Sequence, residues 1–445
     1  MRLCLWSPLP PSPSGIADYV AEQLPGLSRR FDLTLVVEDP ATVEAALARA
    51  YRVVGPERAG EADLDLYQVG NSPAHAFVYR AAMERPGVVL LHDWSVHHLV
   101  LRETVERGDV STYLREMRRA YGETGTFVAR QVARGLGGDL LPALFPLNDR
   151  LLEASLAVVG LTDWVSSRVA RRLPGRPVLR LPHHVSLPLD PLPSRAEARR
   201  ALGLPADAFL VTAPGLATAA KGLDRALRVV ARLRPRHPEL RLVVAGGLDP
   251  RLDLAGGARA SGVEEALLVA GRLSSDDFVR HLCAADVVLA LRFPSHGEIS
   301  GALLRALGVG RPALVTAGTP AAQEFPQGVV IPIDPGPREE AELAAFLDVL
   351  AARPSLGERI GRRAREHVAR LHGLEAATNA LGAFLEEVAR EKPQRLAALA
   401  AEGRQEGGLL GYLMEEMRWG ARDLGLPGLG LGVRALVSEL LGAPA

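Results

Sequence analysis

Of the 52 basic residues in this chain only two, Lys221 and Lys392, are lysines. Arginine serves wherever else a positive charge is needed. A compact amine kept against such a bias suits tasks that a rigid planar guanidinium does less well, such as balancing charge that develops on a leaving group. Lys221 ends the stretch Gly215-Leu216-Ala217-Thr218-Ala219-Ala220-Lys221 and is followed by Gly222. This is not a Walker A loop, because no Gly-x-x-x-x-Gly-Lys-Ser/Thr is formed. Lys392 lies in a polar stretch with no evident task.

Three further segments carry chemistry-bearing residues. In Pro10-Pro11-Ser12-Pro13-Ser14-Gly15-Ile16-Ala17-Asp18-Tyr19, Gly15 lets the backbone approach a ligand and the helix start offers free N–H groups to an anion. In Leu91-His92-Asp93 a histidine ends an apolar run, where it can hydrogen-bond a ligand hydroxyl. In the run from Ser295 to Gly308, Ser300, Gly301 and Ala302 put small side chains and free amides at a second helix start, with Glu298 as a loop carboxylate just before it. Each also has a plainer reading: a solvated lysine, an ordinary strand-to-helix turn, a satisfied structural histidine, a helix-capping acid.

The elements that must hold these residues alternate between short apolar runs and helical periodicity. Strands are expected at Arg2–Trp6, Leu33–Val37, Leu64–Val69, Val88–His92 and Leu156–Gly160. Helices are expected from Ile16 to Leu24, stopped by Pro25, and as one long element over Ser111–Arg134. Leu187–Pro193, with three prolines in seven residues, reads as a linker. A capping box of Ser194 and Glu197 opens a second alternating series. Its strands are Phe209–Ala213, Leu240–Ala245, Leu267–Ala270, Val287–Leu291, Ala313–Val315 and Val329–Ile333. The pattern predicts two doubly wound parallel sheets, with a ligand cleft where strand C-termini converge. Residues 1–186 and 194–373 are the expected domains, 374–390 a crossover helix, and 391–445 a helical extension rich in Leu and Gly.

Composition bounds the rest. With 48% apolar and 23% charged residues and no net charge, the chain reads as globular, and sequence-independent binding to nucleic acid is disfavoured. Cys4 and Cys283 are too far apart to suggest a disulfide framework or a metal motif, and His92, His97 and His98 do not form HExxH. No metal or cofactor is expected. Prolines at 8, 10 and 11 break the first apolar stretch, which is therefore not read as a signal peptide, and no run of about 18 apolar residues suggests a membrane span. A cytoplasmic protein is expected, with the extension a candidate contact for the inner membrane face or a second copy. The Gly428–Gly432 run is not read as a dinucleotide loop, since Pro427 precedes it and no strand leads in.

Taken in order, these motifs resemble glycosyltransferase family 4 and its GT-B relatives over roughly residues 1–390. Pro-Pro-x-x-Ser-Gly-Ile-Ala-Asp-Tyr looks like the family's N-terminal phosphate-side loop. Tyr67-Gln68-Val69-Gly70-Asn71-Ser72-Pro73-x-His75 with His92-Asp93 looks like a bacterial branch. Gly271-Arg272-Leu273 with Ala284–Leu289 resembles a stretch of the nucleotide-binding half, and Gly-Glu-x-Ser-Gly is close to that branch's Gly-Glu-Thr-Ser-Gly. The resemblance implies a GT-B fold and transfer of a hexose from a UDP- or GDP-sugar donor to a glycan, lipid-linked or small-molecule acceptor, with retention and without an essential metal. It implies Lys221, Glu298 and His92 as catalytic. Gly15, Ile16, Gly215, Arg272, Leu273, Ser300, Gly301, Ala302 and Arg305 would bind the donor, and Asp18, Tyr19, Asn71 and His75 would line the acceptor side. Two positions depart from the family pattern. Arg305 stands where a ribose-binding glutamate is usual, with Glu298 one place off the first glutamate of that pair, and Leu216 stands where an arginine is usual. Those departures keep two alternatives open: a GT-B-shaped binding or scaffold protein without catalysis, and a sugar-nucleotide epimerase.

Overall fold

The computed structural model describes residues 1–401 and 417. Seven strands form the first sheet: β1 (Arg2–Trp6), β2 (Asp32–Val36), β3 (Arg52–Val54), β4 (Leu64–Val69), β5 (Val88–Leu91), β6 (Ala157–Gly160) and β7 (Val178–Arg180). Six form the second: β8 (Phe209–Pro214), β9 (Leu240–Ala245), β10 (Leu267–Val269), β11 (Val287–Ala290), β12 (Ala313–Thr316) and β13 (Ile331–Ile333). The strand orders are β3-β2-β1-β4-β5-β6-β7 and β10-β9-β8-β11-β12-β13, and every pairing is parallel. Central strands such as β4 and β5 are buried along their whole length, as befits a sheet covered by helices on both faces.

Two orders of this kind each reverse once, between β1 and β4 and between β8 and β11. A crevice opens at such a reversal, because the connections leave to opposite faces. One hydrophobic cluster runs through both halves, joining Leu5, Val20 and Leu181 to Leu303, Val368 and Leu381. The helix Leu374–Arg390 returns to the first sheet's helix Gly15–Ser28, where Arg30 bonds Glu386 at 3.0–3.1 Å.

Two local expectations need correction, and two strands were not foreseen. The first helix does not stop at Pro25 but runs to Ser28. Pro25 is on the exposed face, while Leu24 and Leu27 on either side are fully buried, so core burial outweighs one missing N–H bond. The long helix Val110–Ala133 is broken at Gly122, whose φ of 60° is left-handed. The edge strands β3 and β7, three half-buried or exposed residues each, have no continuous apolar run to announce them. Helix Lys392–Ala401 is the described start of the expected extension. The rest of it, Gly428–Gly432 included, falls outside the described residues.

Candidate functional site

All four chemistry-bearing segments follow the C-terminal ends of central strands: Gly15 after β1, His92 after β5, Gly215 and Lys221 after β8, and Glu298–Ala302 after β11. The wall built by β8 and β11 is cationic. Gly215 has φ of 75°, a left-handed conformation that turns the chain back beside Lys221. A Cβ placed on Gly215 would lie 3.5 Å from Lys221 Nζ and 4.0 Å from the Ala302 Cβ, so lysine and helix start share one place. Lys221 Nζ donates to the Pro214 carbonyl. Its amine is pushed down to about 7 by burial, with the Arg292 guanidinium adding repulsion. Ser300 caps the helix Gly301–Gly308 by accepting from Leu303 N at 3.3 Å, leaving the Gly301 and Ala302 amides at the open end.

Glu298 is buried, and its Oε2 accepts from His296 N at 2.7 Å and Ser295 Oγ at 3.2 Å. Arg292 Nε is 2.9 Å from Oε1, at an ion-pair distance but not aligned as a hydrogen bond. Although burial pushes the other way, the arginine and these donors hold this carboxyl below its ordinary value.

The facing wall is built largely from rings and amides, with Asp93 as its buried acid. Gly15 begins the helix at an exposed point with open space around it, and Ile16 packs beside Gly70. Tyr19 is buried among three imidazoles, 4.9 Å from His92, 4.7 Å from His183 and 4.2 Å from His184 between ring centroids. His92 Nε2 pairs with Gln68 Oε1 at 2.8 Å, and burial pushes its pKa far below the usual range. His75 Nδ1 donates to the Gln68 carbonyl at 2.9 Å, and burial lowers its pKa to about 4. Asn71 bonds His98 and gives its N–H to Asp93 at 2.7 Å. Loss of water and the nearby Glu298 raise the Asp93 carboxyl to about 7.

The two walls touch. Ser95 N donates to the His296 carbonyl at 2.9 Å, and a Cβ on Gly297, whose φ is 84°, would lie 2.2 Å from the Trp94 Cβ. Arg272 reaches the Pro11 carbonyl at 3.5 Å, with Leu273 half-buried behind it. Arg305 binds Glu22 of the first helix at 2.7 Å, near exposed Asp18. Sequence reasoning missed His183, His184, Glu22 and Arg292. His183 sits beside Gly301, 3.6 Å from its notional Cβ to Nε2, and its Nδ1–H is held by the His184 carbonyl at 2.7 Å. Its only sequence signal is a His pair just after Pro182. Among the described residues no cluster of three or more His, Cys, Asp or Glu side chains forms a metal centre, and no helix is long and apolar enough to cross a membrane.

The glycosyl transferases group 1 family model matches residues 208–350. These include β8, Lys221 and the Ser300–Ala302 turn. The D-inositol 3-phosphate glycosyltransferase of Saccharomonospora viridis is 33% identical over 190 residues, covering 40% of this chain and 42% of that protein. The alpha-D-kanosaminyltransferase of Streptomyces kanamyceticus is 27% identical over 246 residues, 53% of this chain and 62% of that one. The matched part thus spans less than half the length of the inositol-phosphate relative. Among solved structures, HepE of Anabaena in complex with UDP-glucose aligns with a TM-score of 0.60 at 15% identity, covering 87% of this chain and 100% of that one. Sucrose-phosphate synthase from Thermosynechococcus elongatus aligns with a TM-score of 0.60 at 16% identity, covering 87% and 99%. The fold is GT-B, two Rossmann-like sheets facing a cleft, as the family resemblance implied.

Proposed function

We propose that this protein is a retaining glycosyltransferase that takes a hexose from a UDP- or GDP-sugar and places it on a hydroxyl of a glycan, lipid or small-molecule acceptor. In the reaction the bond from the anomeric carbon to the diphosphate breaks, a bond to the acceptor oxygen forms on the same face, and the acceptor proton passes to the departing phosphate. The observation that carries this reading is the convergence of Gly215, Lys221 and the Gly301–Ala302 amides at one sheet reversal. One amine and a helix start supply positive potential where the diphosphate charge grows. Lys221, depressed to about 7 without a ligand, regains its charge as a diphosphate arrives. Gly15 and Ile16 would close on the phosphates from the first sheet, and Arg272 and Leu273 would border the nucleotide. His92 and Glu298 would take sugar hydroxyls, His92 as a neutral imidazole. Asp18, Tyr19, Asn71 and His75 would shape the acceptor side. HepE, by its description, binds UDP-glucose, which supports a uridine donor as the first to test.

The experiment is a screen of UDP- and GDP-sugars with product identification. Transfer of the sugar to an acceptor is expected, and the anomeric configuration of the product tests retention. Arg305 favours a second reading, binding without turnover, because its guanidinium is committed to Glu22 at 2.7 Å. Donor binding with no product from any acceptor would select that reading, and a rearranged sugar without an acceptor would point to an epimerase.

A further inference from the structure

Past the far end of the helix Gly301–Gly308 lies a second set of charges. A pocket of about 170 Å³ opens between the helix Arg195–Ala201, the turn Gly310–Pro312 and the helix Pro354–Leu371. Arg195, Arg311 and Arg362 line it, and Glu358, exposed, is the one acid among its lining residues. Glycines at 310 and 357 keep side chains out of it.

The charges here do not balance. Asp286 is the carboxylate behind the pocket, and both of its oxygens are taken. Arg195 Nη1 lies 3.1 Å from Oδ1, while Arg199 Nη2 lies 2.6 Å from Oδ2, which also accepts Leu210 N at 2.7 Å. Arg311 is left with a carbonyl, that of Cys283 at 2.6 Å, and has no carboxylate within ion-pair distance among the described residues. The Nε atoms of Arg311 and Arg195 are buried without partners among the described residues. Burial, with Arg195 and Arg199 nearby, pushes the Arg311 guanidinium down to about 10 against the weaker opposing pull of Asp286. Arg362 is exposed and unpaired among the described residues. Half-buried guanidiniums without counter-charge are costly, and a bound anion removes that cost.

We propose that this pocket is a binding site for a phosphate group, separate from the cleft. Guanidinium forks match tetrahedral oxyanions in a bidentate way, which favours phosphate over a monovalent halide. At roughly 30 Å³ per water, the volume is that of several waters, enough for one phosphate. The pocket borders the residues that follow the helix Gly301–Gly308, while the cleft borders that helix's first turn. Eight helical residues span about 12 Å, so one ion cannot serve both places.

The test uses the full chain carrying Lys221→Ala, which removes the amine of the cleft, titrated with inorganic phosphate by calorimetry. Binding is expected to persist in this variant and to weaken about tenfold or more when Arg362→Glu is added. Arg362 is exposed and makes no ion pair among the described residues, so its substitution leaves the fold intact; Arg362→Lys, which keeps the charge and loses the fork, should fall between. No phosphate binding in the Lys221→Ala protein, or binding indifferent to Arg362→Glu, would overturn the proposal. Sedimentation with phosphatidylglycerol vesicles against phosphatidylcholine vesicles then separates the two sources of such a group. Arg362-dependent capture by the anionic vesicles assigns a lipid headgroup, and phosphate binding without capture assigns a soluble phosphate.

Discussion

At the ends of β8 and β11 the cleft wall carries a half-buried lysine, an arginine and the open start of a helix. At the ends of β1 and β5 the opposite wall carries Tyr19 set among three imidazoles. Both walls come from a parallel sheet whose strand order reverses once, so topology alone does not set their chemistry. What differs is what each sequence places just past its strands: on one side a lone lysine and a Ser-Gly-Ala cap, on the other aromatic and imidazole rings, of which burial disfavours the charged form of His92 and His183. In the proposed function the first wall supplies the positive potential for the diphosphate, and the second adds backbone and ring contacts.

The largest blow to this contrast should come from Lys221→Ala. Turnover with a competent donor is expected to fall by about 10²–10³, the scale for losing one charge-stabilising donor, while thermal unfolding stays near wild type. Retained turnover would erase the distinction between the walls. Next in size is the contact that joins them. Gly297→Ala puts a Cβ at a left-handed position and against Trp94, and should cost about 1–3 kcal/mol in denaturant unfolding.

The pH dependence sharpens the comparison further. Asp93, held at about 7, keeps its proton in the folded state after the unfolded chain has lost it near an ordinary value of about 4. Its contribution to stability is therefore whole below about pH 4 and is lost as pH rises towards 7. Asp93→Asn should flatten that part of the stability profile measured by urea unfolding, and an unchanged slope would remove Asp93 from the account. The smallest effect is expected at Arg305→Ala. The Glu22 pair, half-buried at 22% exposure on each side, should be worth about 1 kcal/mol at most, and nucleoside diphosphate affinity should not change. A large loss of affinity there would move Arg305 into the donor site.

Much of this was legible in the chain. Strand-to-helix turns with a glycine or a capping serine are local signals, so Gly15, Gly215 and Ser300 could be found, as could the central strands with their continuous apolar runs. The facing residues were not. Glu22 lies within an ordinary amphipathic helix, Arg292 is one of many arginines, and His183 meets Gly301 only through tertiary packing. Contacts made between two domains leave no periodicity in either. Pro25 and Gly122 misled in opposite directions, since burial of Leu24 and Leu27 carries a helix through a proline while a single glycine breaks one that looks continuous.

Diphosphate binding at Lys221 is tested most directly by calorimetric titration with UDP and GDP across pH 6–9. At least one of them should bind the native protein and lose up to about tenfold in affinity per pH unit above 7, as the free Lys221 amine gives up its proton. That dependence should vanish, with weaker binding throughout, in Lys221→Ala. Equal affinities and equal pH profiles for the two proteins would contradict it.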